Sequence, residues 1–194
     1  MLKAKGTWVG WLLLLCLTTS CEAKSPIETN HPNAILTKTE TSISKPVYLE
    51  IPKLALTASI EAKGLLKNGQ MAVPDDRDTV AWYAPGAIPG QKGNAVMAGH
   101  VDDKKGPAVF YYLNRLTIGD FIHIQDKNGV KLTFVVTKKI AYDRHNAPIA
   151  LIFGSSGAKH LNLITCTGSF NRKQGTHEKR LVVYTTLLGT TTKN

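Results

Sequence analysis

Residues 160–170 read HLNLITCTGSF, and nine residues further on the chain runs RLVVYTTLL from Arg180 to Leu188. In the first stretch Leu161, Leu163 and Thr165 alternate with Asn162, Ile164 and Cys166, a period of two that belongs to a strand and not to a helix. The second reads as a strand over Leu181–Leu187, with Arg180 opening it. Strands that follow one another usually pair, and an antiparallel pair lays the end of the first beside the start of the second. Across an intervening stretch of 13 residues, 167–179, the thiol of Cys166 and the guanidinium of Arg180 are then expected to be neighbours. A fixed cation there stabilises a thiolate, or donates hydrogen bonds to an oxyanion. An arginine that merely flanks a strand at the surface does neither.

Outward from this pair the same alternation recurs. Val47, Leu49 and Ile51 share one face, and further strands are expected over 58–60, 70–73, 80–83, 95–99, 121–125 and 131–137. Turn signals separate them, of which Asn128-Gly129 between alternating runs is a hairpin turn. Val109–Leu116 and Ala147–Phe153 have room for a short helix or one helical turn. Eight or nine short strands predict an all-β fold: a small closed or nearly closed antiparallel barrel, the arrangement that leaves no exposed edge. The 194 residues suit one such domain.

The N-terminus reads as an export signal over residues 1–23. Lys3 and Lys5 precede an apolar run from Trp8 to Leu17, about half the length needed to span a bilayer. Leu17-Thr18-Thr19-Ser20-Cys21 resembles the lipobox of bacterial lipoproteins, which makes Cys21 a lipidation candidate, while Cys21-Glu22-Ala23 offers a competing cleavage site. Residues 24–45, rich in Ser, Thr, Asn and Pro, are expected to form a flexible stalk, 46–189 the folded domain and 190–194 a tail. The expected location is outside the cytoplasm, with the membrane reached only through the N-terminus. The net charge of +10 suits an anionic surface or polymer. Over 46–189 there are 18 basic and 11 acidic residues, interspersed. No nucleic-acid motif accompanies them, so no nucleic-acid partner is expected.

Of three cysteines, Cys16 lies in the signal and Cys21 at its end. Cys166 is therefore alone in the domain, a free thiol in an oxidising compartment. It is either a buried small apolar residue or a nucleophile, and a nucleophile needs a base or a cation beside it. His123 reads as part of a solvated strand face, and His145, His160 and His177 as solvent-facing. His31 falls in the stalk. His100 differs, because Asn94–Ala98 is an apolar strand that ends in Gly99 and then presents an imidazole at a strand–loop junction. A zinc site from Cys166, His160 and His177 lacks the paired ligand spacing of known sites, so no metal is expected.

Thr165-Cys166 before a strand opened by Arg180, with His100-Val101-Asp102 after an apolar strand upstream, resembles the sortases, the cysteine transpeptidases of bacterial surfaces. Tyr48–Pro52, Val73–Asp76, Val80–Tyr83, Gly106–Phe110 and Leu181–Tyr184 extend the resemblance. The wording is most similar to class F, although Thr167-Gly168 stands where many class F members carry two glycines, and Arg180 is closer to other classes. The resemblance implies an eight-stranded sortase-type barrel with one or two short helices. It implies Cys166 as nucleophile, His100 as acid/base, Arg180 steadying substrate and oxyanion, and Thr165 at the substrate, with no cofactor. The implied partners are an LPXTG-like sorting signal of a surface protein and an amine acceptor in the cell wall or another protein, which water can replace. Two other readings stand beside it. One is a non-enzymatic wall-binding barrel with a structural cysteine, the other a thiol transpeptidase acting directly on peptidoglycan stems.

Overall fold

The structure, a computed structural model, describes residues 42–192. The expected signal with Cys21, and most of the expected stalk, lie outside the described residues. Ten strands follow one another: β1 Pro46–Ile51, β2 Leu56–Lys63, β3 Val80–Tyr83, β4 Gly93–Ala98, β5 Asp102–Asp103, β6 Gly106–Pro107, β7 Phe121–Asp126, β8 Lys131–Asp143, β9 Lys159–Asn171 and β10 Thr176–Thr191. Eight of them close a barrel in the order β1-β2-β3-β4-β9-β10-β8-β7, and β1 pairs with β7 to complete the circle. The expected closed eight-stranded barrel is therefore present.

Its antiparallel character needs correction. β2 pairs with β3 in parallel, and so does β4 with β9. Alternation tells which face a residue takes but not the direction of its partner strand. A parallel pair needs a long crossover, and residues 64–79 supply one. The strand expected over 70–73 lies inside that crossover, where only a Leu65–Met71 bridge forms. The two expected helical segments shrink to a 3₁₀ turn, Leu113–Arg115, and to α1, Ile149–Phe153.

Alternate residues fill the interior: Leu49 and Ile51 from β1, Ile122 and Ile124 from β7, Leu132 and Phe134 from β8, Leu161 and Leu163 from β9, Leu181 and Val183 from β10. Each such side chain contributes roughly 1.5–3 kcal/mol on leaving water. A second cluster forms on the outer face, where Val96, Ile152 and Val182 are buried with Ile164, Tyr142, Tyr184 and Phe153 packed against them.

Both domain boundaries extend beyond the expected ones. Ile43 packs on the core and the Ser44 amide donates to Asp126 Oδ2 at 2.8 Å, so the last residues of the expected stalk are docked. At the other end Thr190 and Thr191 still pair with Leu132 and Lys131.

Candidate active site

β9 and β10 pair as the alternation predicts, and Arg180 is the direct partner of Cys166. The 13-residue connection expected between them is corrected: only residues 172–175 turn, and 167–171 pair with 176–179 as a ribbon that continues beyond the buried part of the barrel. These residues are polar and mostly exposed, so no apolar alternation marks them as strand. Within the ribbon Gly168 and Ser169 oppose the single residue Glu178, a β-bulge, and Gly168 has φ 77°. Glycine suits this left-handed position, and bulges beside active sites re-aim side chains.

On the other side of Cys166 lies β4. Its parallel register runs Val96–Asn162, Met97–Leu163, Ala98–Ile164. Continued by two residues, it sets His100 level with Cys166. Two bonds fix that end of β4: the Gly99 amide donates to the Ile164 carbonyl at 3.1 Å, and Thr165 Oγ1 donates to the Gly99 carbonyl at 2.8 Å. Gly99 must lack a side chain, since a Cβ would come within 2.7 Å of Val109 and 2.8 Å of Phe110. The barrel thus pairs Cys166 with Arg180 across β9 and β10, and brings His100, two residues past the end of β4, to the same end of the sheet.

The side chains meet less completely than the backbones. The half-buried His100 ring contacts the Pro74 carbonyl through Nε2 at 3.0 Å, and His100 is not among the residues walling the cleft at Cys166. Arg180 folds back on its own strand. Nη1 donates to the carbonyls of His177 and Lys179, both at 2.9 Å, and Nη2 donates to Thr176 Oγ1 at 3.1 Å. Thr165, expected at the substrate, is 4% exposed with its hydroxyl committed to Gly99, so its visible work is to tie two strand ends together.

Cys166 is a free, half-buried thiol lining a cleft of about 400 Å³, together with Asp102, Tyr111, Tyr112, Arg115 and His177. Burial pushes the thiol above its ordinary range. The Arg180 charge pulls it down, the Asp102 carboxylate pushes it further up, and a hydrogen bond with Thr176 pulls it down.

His177, read from sequence as solvent-facing, belongs to this cleft. Its Nε2 meets Asp102 Oδ1 at 3.1 Å and its Nδ1 meets the Gly168 carbonyl at 3.0 Å. One sequence signal pointed to this pair: Asp102 lies two residues after His100, and His177 three before Arg180. His160 sits six positions before Cys166 on the same strand, bonded to the Thr185 carbonyl at 3.0 Å. That separation is about 20 Å, too far for a shared metal, and among the described residues no three metal-ligating side chains gather.

The Cys166 thiol thus lies at a barrel rim beside a cleft, paired with Arg180 and flanked by the strand end that leads to His100, on an all-β frame. The comparisons name it: the sortase domain matches residues 49–188, and the chain belongs to the sortase family, whose members are cysteine transpeptidases. Among solved structures, sortase C1 from Streptococcus suis shares 20% identity with a TM-score of 0.58 over 75% of this chain and 74% of that one. Sortase A from Corynebacterium diphtheriae shares 18% identity with a TM-score of 0.60, covering 77% of this chain and 63% of that one. Sortase C-1 from Actinomyces oris shares 19% with a TM-score of 0.58, covering 74% and 71%. At such identities the likeness is one of fold. A search of curated proteins finds no match.

Proposed function

We propose that the protein is an exported sortase, most similar in wording to class F, that cleaves an LPXTG-like sorting signal and transfers the acyl group to an amine or to water. Its N-terminus attaches it to the membrane, through Cys21 if that residue is acylated. The Cys166 thiolate attacks the carbonyl carbon of the Thr–Gly bond, and a C–S bond forms as the carbonyl oxygen takes the negative charge. Arg180 stabilises that oxyanion. The C–N bond then breaks, and His100 gives the leaving amine its proton. An acceptor amine attacks the thioester, loses a proton to His100 and releases the sulfur, so that an amide replaces the thioester. Water in that role gives a carboxylic acid. With His100 Nε2 on Pro74, Nδ1 is the nitrogen left for these transfers.

The observation that carries this reading is the direct pairing of Cys166 with Arg180 across β9 and β10, beside the end of β4 that leads to His100, with Cys166 lining a cleft. A wall-binding barrel with a structural cysteine has no use for that arrangement. Below this pair, Val182 is buried on the same outer face, with Ile164, Tyr142, Tyr184 and Phe153 packed around it.

Incubation with an LPXTG-type peptide should leave an acyl adduct on Cys166, detected by mass spectrometry and absent in Cys166→Ala. His100→Ala should lower turnover by roughly 100-fold or more. A His100→Ala enzyme as active as the wild type would remove the assignment of His100. Activity on wall stem peptides with none on sorting-signal peptides would favour the peptidoglycan reading instead.

A further inference from the structure

The Asp102–His177 contact joins two segments that the chain separates widely: the loop after His100 and the ribbon after Cys166. His177 is 14% exposed and Asp102 42%. A solvent-accessible contact of this kind adds little stability by itself. Its geometry is more specific than its energy. Both ring nitrogens face oxygens, Asp102 on one side and the Gly168 carbonyl on the other. A protonated ring donates to both. The ring also lies edge-on to Phe170, with centroids 5.2 Å apart at 76°. Two hydrogen bonds continue from His177 toward the row of Cys166: its own carbonyl receives Arg180 Nη1, and Arg180 Nη2 donates to Thr176 Oγ1.

We propose that Asp102 and His177 form a clasp that positions the active site, holding segment 176–180 over Cys166 so that Thr176 and Arg180 meet the sulfur, and directing the Asp102 charge at the imidazole. The proposal rests on Cys166 being the nucleophile. Asp102 and His177 are positioning residues, acting through Thr176 and Arg180. Loss of the two partners shifts the thiol in opposite directions. The groups facing the sulfur are Arg180 and His177 from β10, and Asp102 with the backbone-level His100 from the loop after β4. Tyr111, Tyr112 and Arg115 face it across the cleft. Of these only Asp102 is an anion. Without His177, its carboxylate is unpaired beside the thiol and opposes ionisation more strongly. Without the carboxylate, that opposition disappears.

The test is the pH profile of Cys166 alkylation by a small neutral reagent, measured in the intact chain alongside peptide turnover. His177→Ala should move the alkylation midpoint to higher pH and lower kcat by on the order of ten- to a hundredfold, as misplacement of reacting groups does, with a smaller change in KM. Asp102→Asn, which keeps an acceptor but loses the charge, should move the midpoint to lower pH. His177→Gln, able to donate to Asp102, should recover part of kcat. Midpoints that stay at the wild-type value, or that move in the same direction in both variants, would reduce the clasp to a structural contact even if Tm falls. The two failures are separable. A wild-type enzyme that no sorting peptide acylates overturns the proposed function. A wild-type enzyme that is acylated while both variants keep its profile and kcat overturns the clasp alone.

Discussion

The β9–β10 hairpin has two halves built from the same backbone pairing and held by different forces. In the barrel half, residues 161–165 opposite 181–185, Leu161, Leu163 and Val183 are fully buried, and Thr185 Oγ1 donates to the Leu161 carbonyl at 2.8 Å. In the ribbon half, residues 166–171 opposite 176–180, no side chain is buried, and order comes from the ladder, the bulge and side-chain contacts. Cys166 sits at the junction. The buried half anchors Cys166 and the exposed half brings charge to it, so rigidity and charge are assigned to different ends of one hairpin.

The sharpest way to break this comparison is to truncate one apolar side chain in each half to alanine, the larger of the two in the ribbon. Leu163→Ala should cost about 2–5 kcal/mol in urea unfolding, as buried leucine truncations do. Phe170→Ala in the ribbon should stay within about 0.5 kcal/mol. Equal losses would show that the ribbon is part of the core. At the junction, Thr165→Val removes the hydroxyl that the buried Gly99 carbonyl accepts from. It should cost about 1–3 kcal/mol, with turnover falling because the end of β4 loosens beside His100. A smaller change probes the bulge. Gly168→Ala puts a Cβ on a residue at φ 77° and 3.3 Å from Lys179 Cγ, for a cost of about 1–2 kcal/mol and a loss of activity out of proportion to it. The mildest probe alters nothing covalent. Amide hydrogen exchange should be slow at 161–165 and faster at 167–171, since local opening follows burial, and uniform protection across both would erase the distinction between the halves.

Legibility in the sequence follows the same division. Where one face is buried, alternation is imposed by the core, and Leu161–Cys166 and Leu181–Leu187 could be read directly. Their pairing then put Arg180 beside Cys166, as found. In the ribbon neither face is buried, nothing selects for alternation, and Thr167–Asn171 read as loop. His177 was missed for that reason, since its partners, Asp102 and the Gly168 carbonyl, become neighbours only once the ribbon is formed. The parallel pairings were illegible for a different reason. Hydrophobic pattern sets the face of a strand but is the same whichever way its neighbour runs, and the strand expected over 70–73 hid the long crossover at 64–79.

That β4–β9 pairing joins segments more than sixty residues apart in the chain. Contacts at such sequence distance form slowly, because the ends of a long chain must first find each other. Nearly the whole domain has to be in place before histidine and cysteine reach the same end of the sheet. An unfinished barrel therefore carries an unassembled site, and recovery of peptide cleavage during refolding should trail the early burial of the β7–β8 hairpin.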